Sequence, residues 1–223
     1  MEKYNTFGLE ININDDKLLN ADLKNRLKKS VWEKDEAESA KYIDPNSSVL
    51  ELGGCLGIVS LLVNKKLNNP NKHIVLEPNP RLIPFMETIK ADNDGQYEIV
   101  NAFLSTSEET RDFSLHPNHI MGGQLGKRAG FETIQCSGVT MSALEEKYNT
   151  TFNTIIMDIE HGEYDLFTKG FFNKESIKNI NFLMIELHKN SKKESLRKHL
   201  NSSFNKCKII SDTPNNSVLV FEK

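Results

Sequence analysis

Two short stretches place titratable side chains two residues apart at the end of an apolar run. Asp158 and Glu160 follow Thr154-Ile155-Ile156-Met157, and Glu186 and His188 lie at the end of the run from Asn181 to Leu187. In an extended chain, residues two apart project from the same face, so each pair presents two groups to one side. Carboxylates and an imidazole gathered there can orient a hydroxyl group, take up its proton, or hold a cation such as Mg²⁺ that lowers its pKa. Nothing in the spacing compels a metal, and none is expected. A different feature is the turn Glu51-Leu52-Gly53-Gly54-Cys55-Leu56-Gly57. Its glycines permit a tight bend and let a ligand approach the backbone, while the helix that follows presents free N–H groups. Twenty positions beyond Gly57, Glu77 ends the next apolar run, where a carboxylate can accept both hydroxyls of a ribose. Cys55 stands where a dinucleotide pyrophosphate would press on a Gly-x-Gly-x-x-Gly turn, which favours a ribose-bearing ligand without phosphates.

These residues need a scaffold that brings strand ends together, and the hydrophobic pattern supplies one. Leu18, Leu19, Leu23 and Leu27 recur at helical spacing between Asp15 and Lys29, and Trp32 to Tyr42 reads as a second helix. Ser48 to Leu52 is then a strand, Ile58 to Leu67 a helix closed by Asn68-Asn69-Pro70-Asn71, His73 to Leu76 a strand, Arg81 to Ala91 a helix and Tyr97 to Val100 a strand. After an irregular stretch from Ser105 to Gly138 come a helix at Ser142 to Lys147, a strand at Thr154 to Ile159 and a helix at Tyr164 to Gly170. A strand at Asn181 to Leu187 and a helix at Ser191 to Asn201 follow, and the chain closes with a hairpin of Cys207 to Ile210 and Val218 to Phe221. This alternation describes an α/β fold with a seven-stranded Rossmann-like sheet, mostly parallel, helices on both faces and an antiparallel hairpin at the C-terminal end. Residues 1–47 form an N-terminal helical or accessory segment, with Phe7 to Ile13 as an extra strand, and residues 48–223 form the main domain; together they make one structural domain. In such sheets ligands bind beyond the carboxyl ends of the strands, where the four turns and pairs above all fall.

Composition narrows the classes. The 223 residues carry 28 Lys+Arg against 31 Asp+Glu, a net charge of −3, so no general positive field recruits nucleic acid or an anionic membrane. Cys55, Cys136 and Cys207 are too scattered for a disulfide framework or a zinc site, and a reducing cytoplasm is the expected setting. The N-terminal ten residues have no apolar signal core, and Leu56 to Val63 is far below the roughly 20 residues that span a bilayer. The loop from Ser114 to Arg128 holds Gly122, Gly123 and Gly126 beside His116, Asn118, His119, Gln124 and Arg128, the composition of a closing segment with polar contacts for a hydroxyl-rich ligand.

Val49-Leu50-Glu51-Leu52-Gly53-Gly54-Cys55-Leu56-Gly57, then Leu76-Glu77-Pro78-Asn79-Pro80, then Ile155-Ile156-Met157-Asp158-Ile159-Glu160-His161-Gly162-Glu163 resemble the successive signatures of FkbM-like S-adenosylmethionine-dependent methyltransferases. The resemblance runs from about Ser48 to His188. Asn101-Ala102-Phe103-Leu104-Ser105 and Thr140-Met141-Ser142-Ala143-Leu144 are similar to the family's third-strand adenine contact and its Thr-Leu-Asp-x-Leu helix start. The sequence departs where the family has Asp at position 51, Ala-Asn at 54 and 55, and an uninterrupted Asp-Val-Glu-Gly; His161 is inserted here between Glu160 and Gly162.

The resemblance implies S-adenosylmethionine as cofactor and an O-methyltransferase acting on a hydroxyl of a sugar, glycan or glycosylated metabolite. Glu51, Gly53, Gly54, Gly57, Glu77, Pro78, Asn101, Ala102 and Asp158 are then expected to hold the cofactor. Asp158, Glu160 and His188 are expected to face the acceptor, with a neutral His188 as the favoured base. Two rivals remain from the residues alone: a non-catalytic cofactor-binding module, for which Cys55 and the interrupted motif argue, and an NAD-dependent oxidoreductase, disfavoured by the glycine spacing.

Overall fold

The computed structural model describes residues 2–13, 20–117 and 122–223. The chain opens with a hairpin, β1 (Glu2–Thr6) and β2 (Leu9–Ile13), so the accessory strand expected at Phe7 to Ile13 is half of an antiparallel pair that turns at Phe7-Gly8. The helix expected from Asp15 is described only as α1 (Ala21–Lys28), capped by the Asn20 side chain accepting from Leu23 N–H; its Leu18 and Leu19 lie outside the described residues, while Leu23 and Leu27 are buried. Next comes α2 (Lys34–Ser39), continued by a 3₁₀ turn through Tyr42.

The main body alternates as the hydrophobic pattern requires: β3 (Val49–Leu52), α3 (Ile58–Asn64), β4 (His73–Leu76), α4 (Ile83–Asp92) and β5 (Glu98–Val100). Four strands follow, β6 (Phe103–Leu104), β7 (Glu109–Leu115), β8 (Gly123–Leu125) and β9 (Glu132–Val139), and then α5 (Met141–Lys147), whose cap Thr140 accepts from Ala143 N–H. The rest is β10 (Thr154–Met157), α6 (Gly162–Thr168), β11 (Phe182–His188), α7 (Lys193–Ser203), β12 (Lys206–Asp212) and β13 (Asn216–Glu222).

Seven strands form the central sheet in the order β12-β13-β11-β10-β3-β4-β5. The pairings from β11 to β5 are parallel; β13 runs antiparallel to both β11 and β12. Every residue of β3, β4 and β10 is buried, as a sheet covered on both faces demands. Parity assigns the faces. Leu50, Leu52, Ile155, Met157, Leu183 and Ile185 pack beneath α6 and α7 with Tyr164, Leu166, Leu196 and Leu200. The alternate residues Val49, Ile156 and Met184 pack with Val59 and Val63 of α3, and Val75 packs with Met86 of α4. The N-terminal hairpin leans on α4, and α2 lies against α3 and the β11–β13 edge.

The stretch 105–138, expected to be irregular, instead builds a second sheet of order β6-β9-β7-β8. Its small core of Phe103, Phe113, Leu115 and Cys136 has charged and polar residues between its members, because one face looks to solvent. The polar run Glu109-Thr110-Arg111-Asp112 hides the strand period that Phe113 and Leu115 then show. Asn118 and His119 of the expected closing loop lie outside the described residues. Among the described residues no helix is long and apolar enough to cross a membrane.

Candidate active site

A cavity of about 390 Å³ opens beyond the carboxyl ends of β3, β4, β10 and β11. One wall is Gly53 and Cys55, another Glu77, Pro78 and Asn79, a third Ala102, Phe103 and Leu104; Asp158, Glu160, Glu186 and His188 close the far end. Trp32, Glu33 and Glu36 cover it from the N-terminal segment, and Phe113 and Gly123 to Leu125 cover it from the second sheet. A volume in this range is typical of a site that encloses a small molecule.

The glycine turn is built by the ladder itself. Gly53 N–H and Gly54 N–H both donate to Leu76 O, and Asp158 N–H donates to Leu52 O, so the three strand ends are tied together. Gly53 sits at φ +87°, and a Cβ there would lie 1.8 Å from the backbone oxygen of Asp158. No side chain fits that position. Gly54 and Gly57 do not line the cavity: a Cβ on the first would meet Met86 and Val75, and on the second the Tyr97 hydroxyl, so they shape the turn from behind. Cys55, at φ +50°, occupies a left-handed conformation that Asn tolerates better, a physical reason for the Asn of FkbM-like sequences.

Glu77 is 5% exposed. Its carboxylate accepts from Cys55 N–H at 2.9 Å and from Asn79 N–H at 2.7 Å, which fixes it at the cavity floor. Burial raises its pKa to about 7, against the opposing pull of those two hydrogen bonds. Asn101 does not line the cavity; its amide donates to Glu77 O and Pro78 O and so braces the loop, whereas Ala102 forms the wall.

Glu51, expected against the cofactor, does not line the cavity. It shares the face of Val49, beneath α3, where Ser60 Oγ donates to it at 2.7 Å and His73 Nε2 stands 2.8 Å away. The parity of β3 decides this: the residue before Leu52 points to the helix, not to the strand end. Its role is to hold α3 and β4 under the glycine turn.

At the far end the two pairs converge. The strand stops at Met157 rather than Ile159, and Glu160 and His161 turn the chain at φ +47° and +75°, so Asp158 and Glu160 meet through a turn and not through strand alternation. His188 Nε2 lies 3.8 Å from Asp158 Oδ1, 3.6 Å from Glu160 Oε2 and 3.8 Å from Glu186 Oε2. Behind the ring, Glu163 accepts from His188 N–H at 3.0 Å and lies 3.2 Å from Nδ1; Glu163 is fully buried. Asn216, paired with His188 across β11–β13, donates to Glu186 Oε1. His161 is outside the wall, its ring 5.1 Å from that of His188.

The charge balance corrects one expectation. Desolvation pulls the His188 pKa down, but the bond to Glu163 and the charges of Glu163, Glu186 and Glu160 outweigh it and raise it to about 9. The ring is an imidazolium near neutral pH, not the neutral base expected. Burial first, then the charge of Glu186, holds the Asp158 carboxyl well above the usual carboxylate range. Burial and Glu186 raise Glu36 to about 7, and burial and Glu36 raise Glu33 to about 8. The Cys55 thiol is pushed up by burial, Glu33 and Glu77, and stays protonated.

Sequence reasoning missed Glu33, Glu36 and Glu163. The first two stand in Glu33-Lys34-Asp35-Glu36, which reads as a solvated helix start, and only the packing of α2 on the sheet turns them inward. Glu163 carries a detectable signal: it is four residues from Phe167 on the buried side of a short helix.

A parallel sheet with this order, a glycine turn after β3, an acid after β4 and a cavity over the strand ends define the Rossmann-like methyltransferase class. The solved structures agree at the level of fold. A precorrin-6y C5,15-methyltransferase from Geobacter metallireducens superposes with a TM-score of 0.53 at 11% identity, covering 96% of this chain and 98% of that one. A protein of the NADB-Rossmann superfamily from Streptococcus agalactiae gives 0.50 at 12%, covering 86% and 68%. A tRNA methyltransferase from Methanocaldococcus jannaschii gives 0.50 at 12%, covering 99% of this chain and 53% of that one. Comparison with curated protein sequences yields no match. The family model of the methyltransferase FkbM domain matches residues 51–208, and the chain belongs to that family. It is an S-adenosylmethionine-dependent methyltransferase and therefore has a methyl acceptor.

The site fits that cofactor. Glu77 offers a fixed carboxylate at the cavity floor, the Ala102–Leu104 wall is apolar, and Gly53 and Asp158 line the same cavity.

Proposed function

We propose that the chain transfers the methyl group of S-adenosylmethionine to a hydroxyl oxygen of a sugar, glycan or glycosylated metabolite. The convergence of Asp158, Glu160, Glu186 and His188 on one end of the cavity carries this reading. The carboxylates of Glu160 and Glu186 accept hydrogen bonds and so complement O–H donors. The same negative charge opposes a phosphodiester, which argues against a nucleic-acid acceptor.

In this reading Glu77 receives the ribose hydroxyls, Pro78 and Ala102 flank the adenine, with Asn101 bracing their loop, and Gly53 and Asp158 border the methionine end. Gly54 and Gly57 shape the turn, and Glu51 supports it from below. The bound cofactor supplies an electrophilic methyl on a sulfonium. The chain's part is to align the acceptor oxygen with the S–C bond, because geometry dominates the rate of an in-line displacement. As the acceptor oxygen takes the methyl group, a carboxylate of the cluster would take up the acceptor's proton. Glu160, half exposed at 51%, is the member free to take it. His188, as an imidazolium held by Glu163, orients the carboxylates.

Methyl-labelled cofactor, incubated with separate panels of neutral glycosides, amines and RNA, tests this reading. Label recovered as a sugar O-methyl ether supports it. Label found only on nitrogen, carbon or RNA overturns it.

A further inference from the structure

Three groups on adjacent strand ends converge more closely than acceptor binding requires. Asp158, Glu186 and His188 each offer one ligand atom, and the three atoms lie within 4.8 Å of one another. The imidazole Nε2 is 3.8 Å from Asp158 Oδ1 and 3.8 Å from Glu186 Oε2. With ligand bonds of about 2.1 Å, donors 3.8 Å apart subtend roughly 130° at an ion placed between them, so carboxylate rotations that draw the three donors closer complete the site.

Each donor is already aimed. Glu163 holds the backbone N–H and Nδ1 side of His188, which turns Nε2 to the carboxylates in the carboxylate–histidine arrangement that orients metal ligands. Asn216 occupies Glu186 Oε1 and leaves Oε2 toward the ring. Asp158 Oδ1 is buried and has no hydrogen-bond partner among the described residues, a costly condition that a bound ion relieves. Among the described residues no lysine or arginine pairs with Asp158 or Glu186, and the cation that faces them is the His188 imidazolium, beside the carboxyl groups of Glu36 and Glu160.

We propose that Asp158, Glu186 and His188 form a site for one divalent cation at the acceptor end of the cavity, with Glu163 as its positioning residue. Two carboxylate oxygens and one imidazole nitrogen suit Mn²⁺ or Mg²⁺ better than Ca²⁺, which prefers a larger shell made only of oxygen. The cavity side is open, so the ion has room for an acceptor oxygen. That role rests on the hydroxyl-transfer reading, but occupancy of the site does not. On binding, the cation takes the place of the protons on His188 Nε2 and the Asp158 carboxyl, which pass to solvent.

Mn²⁺ titration of the EDTA-treated full chain, without cofactor or acceptor and followed by the EPR signal of free Mn²⁺, tests the site. One Mn²⁺ per chain is expected, displaced by Mg²⁺. Asp158→Asn and Glu186→Gln should each weaken binding at least ~10-fold, Glu163→Gln should weaken it about 10-fold or more, and Glu132→Gln, on the second sheet, should leave it unchanged. Circular dichroism checks that each variant is folded. No saturable Mn²⁺ binding in the parent, or equal binding in folded Asp158→Asn and Glu186→Gln, overturns the proposal. Calorimetry with S-adenosylmethionine on the same sample separates the two readings: cofactor binding without Mn²⁺ removes the cation alone, and Mn²⁺ binding with label found only on nitrogen removes hydroxyl transfer alone.

Discussion

Replacing Glu77 with Gln tests the cavity floor in two independent ways. Burial places the Glu77 pKa at about 7 in the folded chain, against 4.5 for the free group. The folded state therefore binds more protons than the unfolded chain between those values. Stability falls as pH rises from about 4.5 to 7 and is level above it. The difference of about 2.5 pH units, at about 1.4 kcal/mol each, makes the buried charge cost about 3 kcal/mol at pH 8. Glu77→Gln removes that slope. It also turns an amide NH₂ toward one of the two donors, Cys55 N–H or Asn79 N–H, which costs about 1–3 kcal/mol for a buried group left unpaired. Urea unfolding at pH 5 and pH 8 should thus show the variant gaining about 3 kcal/mol on the parent between the two conditions, since the other carboxylates cancel in the comparison. Cofactor affinity at pH 8 should fall about 10²-fold, because hydrogen bonds to a charged acceptor contribute about 1.5–3 kcal/mol each. Parallel pH profiles for parent and variant would refute the buried-charge argument, and unchanged cofactor affinity would refute the ribose assignment.

Other perturbations have equally definite outcomes. Gly53→Ala must place a Cβ against the Asp158 carbonyl and hold a left-handed φ, so it should cost more than about 2 kcal/mol in urea unfolding and abolish cofactor binding by calorimetry; wild-type stability would show that the turn is not as tight as described. Glu163→Gln should retain cofactor binding and lose turnover by about 10-fold or more, since it loosens His188 without touching the adenosine end; unchanged turnover would remove its positioning role. Phe172→Ala, fully inside the core beneath α7, should destabilise the chain by about 3–5 kcal/mol in chemical denaturation.

The central sheet was legible because its strands are buried on both faces and so appear as continuous apolar runs, each followed by a breaker and an amphipathic helix. The turn at Gly53 and the acid at Glu77 follow from that order, since they are whatever stands next after β3 and β4. Glu51 was misplaced for the same reason in reverse: the run gives the strand but not its parity, and parity sends Glu51 under α3 to Ser60 and His73. The second sheet escaped because its own apolar cluster is only Phe103, Phe113, Leu115 and Cys136, too few to impose a period on a charged segment. The pairing of Asp158 and Glu160 with His188 was legible as a meeting of strand ends. The state of the imidazole was not, because it depends on Glu163, which only the packing of α6 against β11 brings to it.

Isothermal calorimetry of the full chain with S-adenosylmethionine, its demethylated product S-adenosylhomocysteine, and NAD tests the central claim most directly. Binding of the first two at one per chain, with none for NAD, is the predicted result. Binding of NAD with neither adenosyl ligand would contradict it.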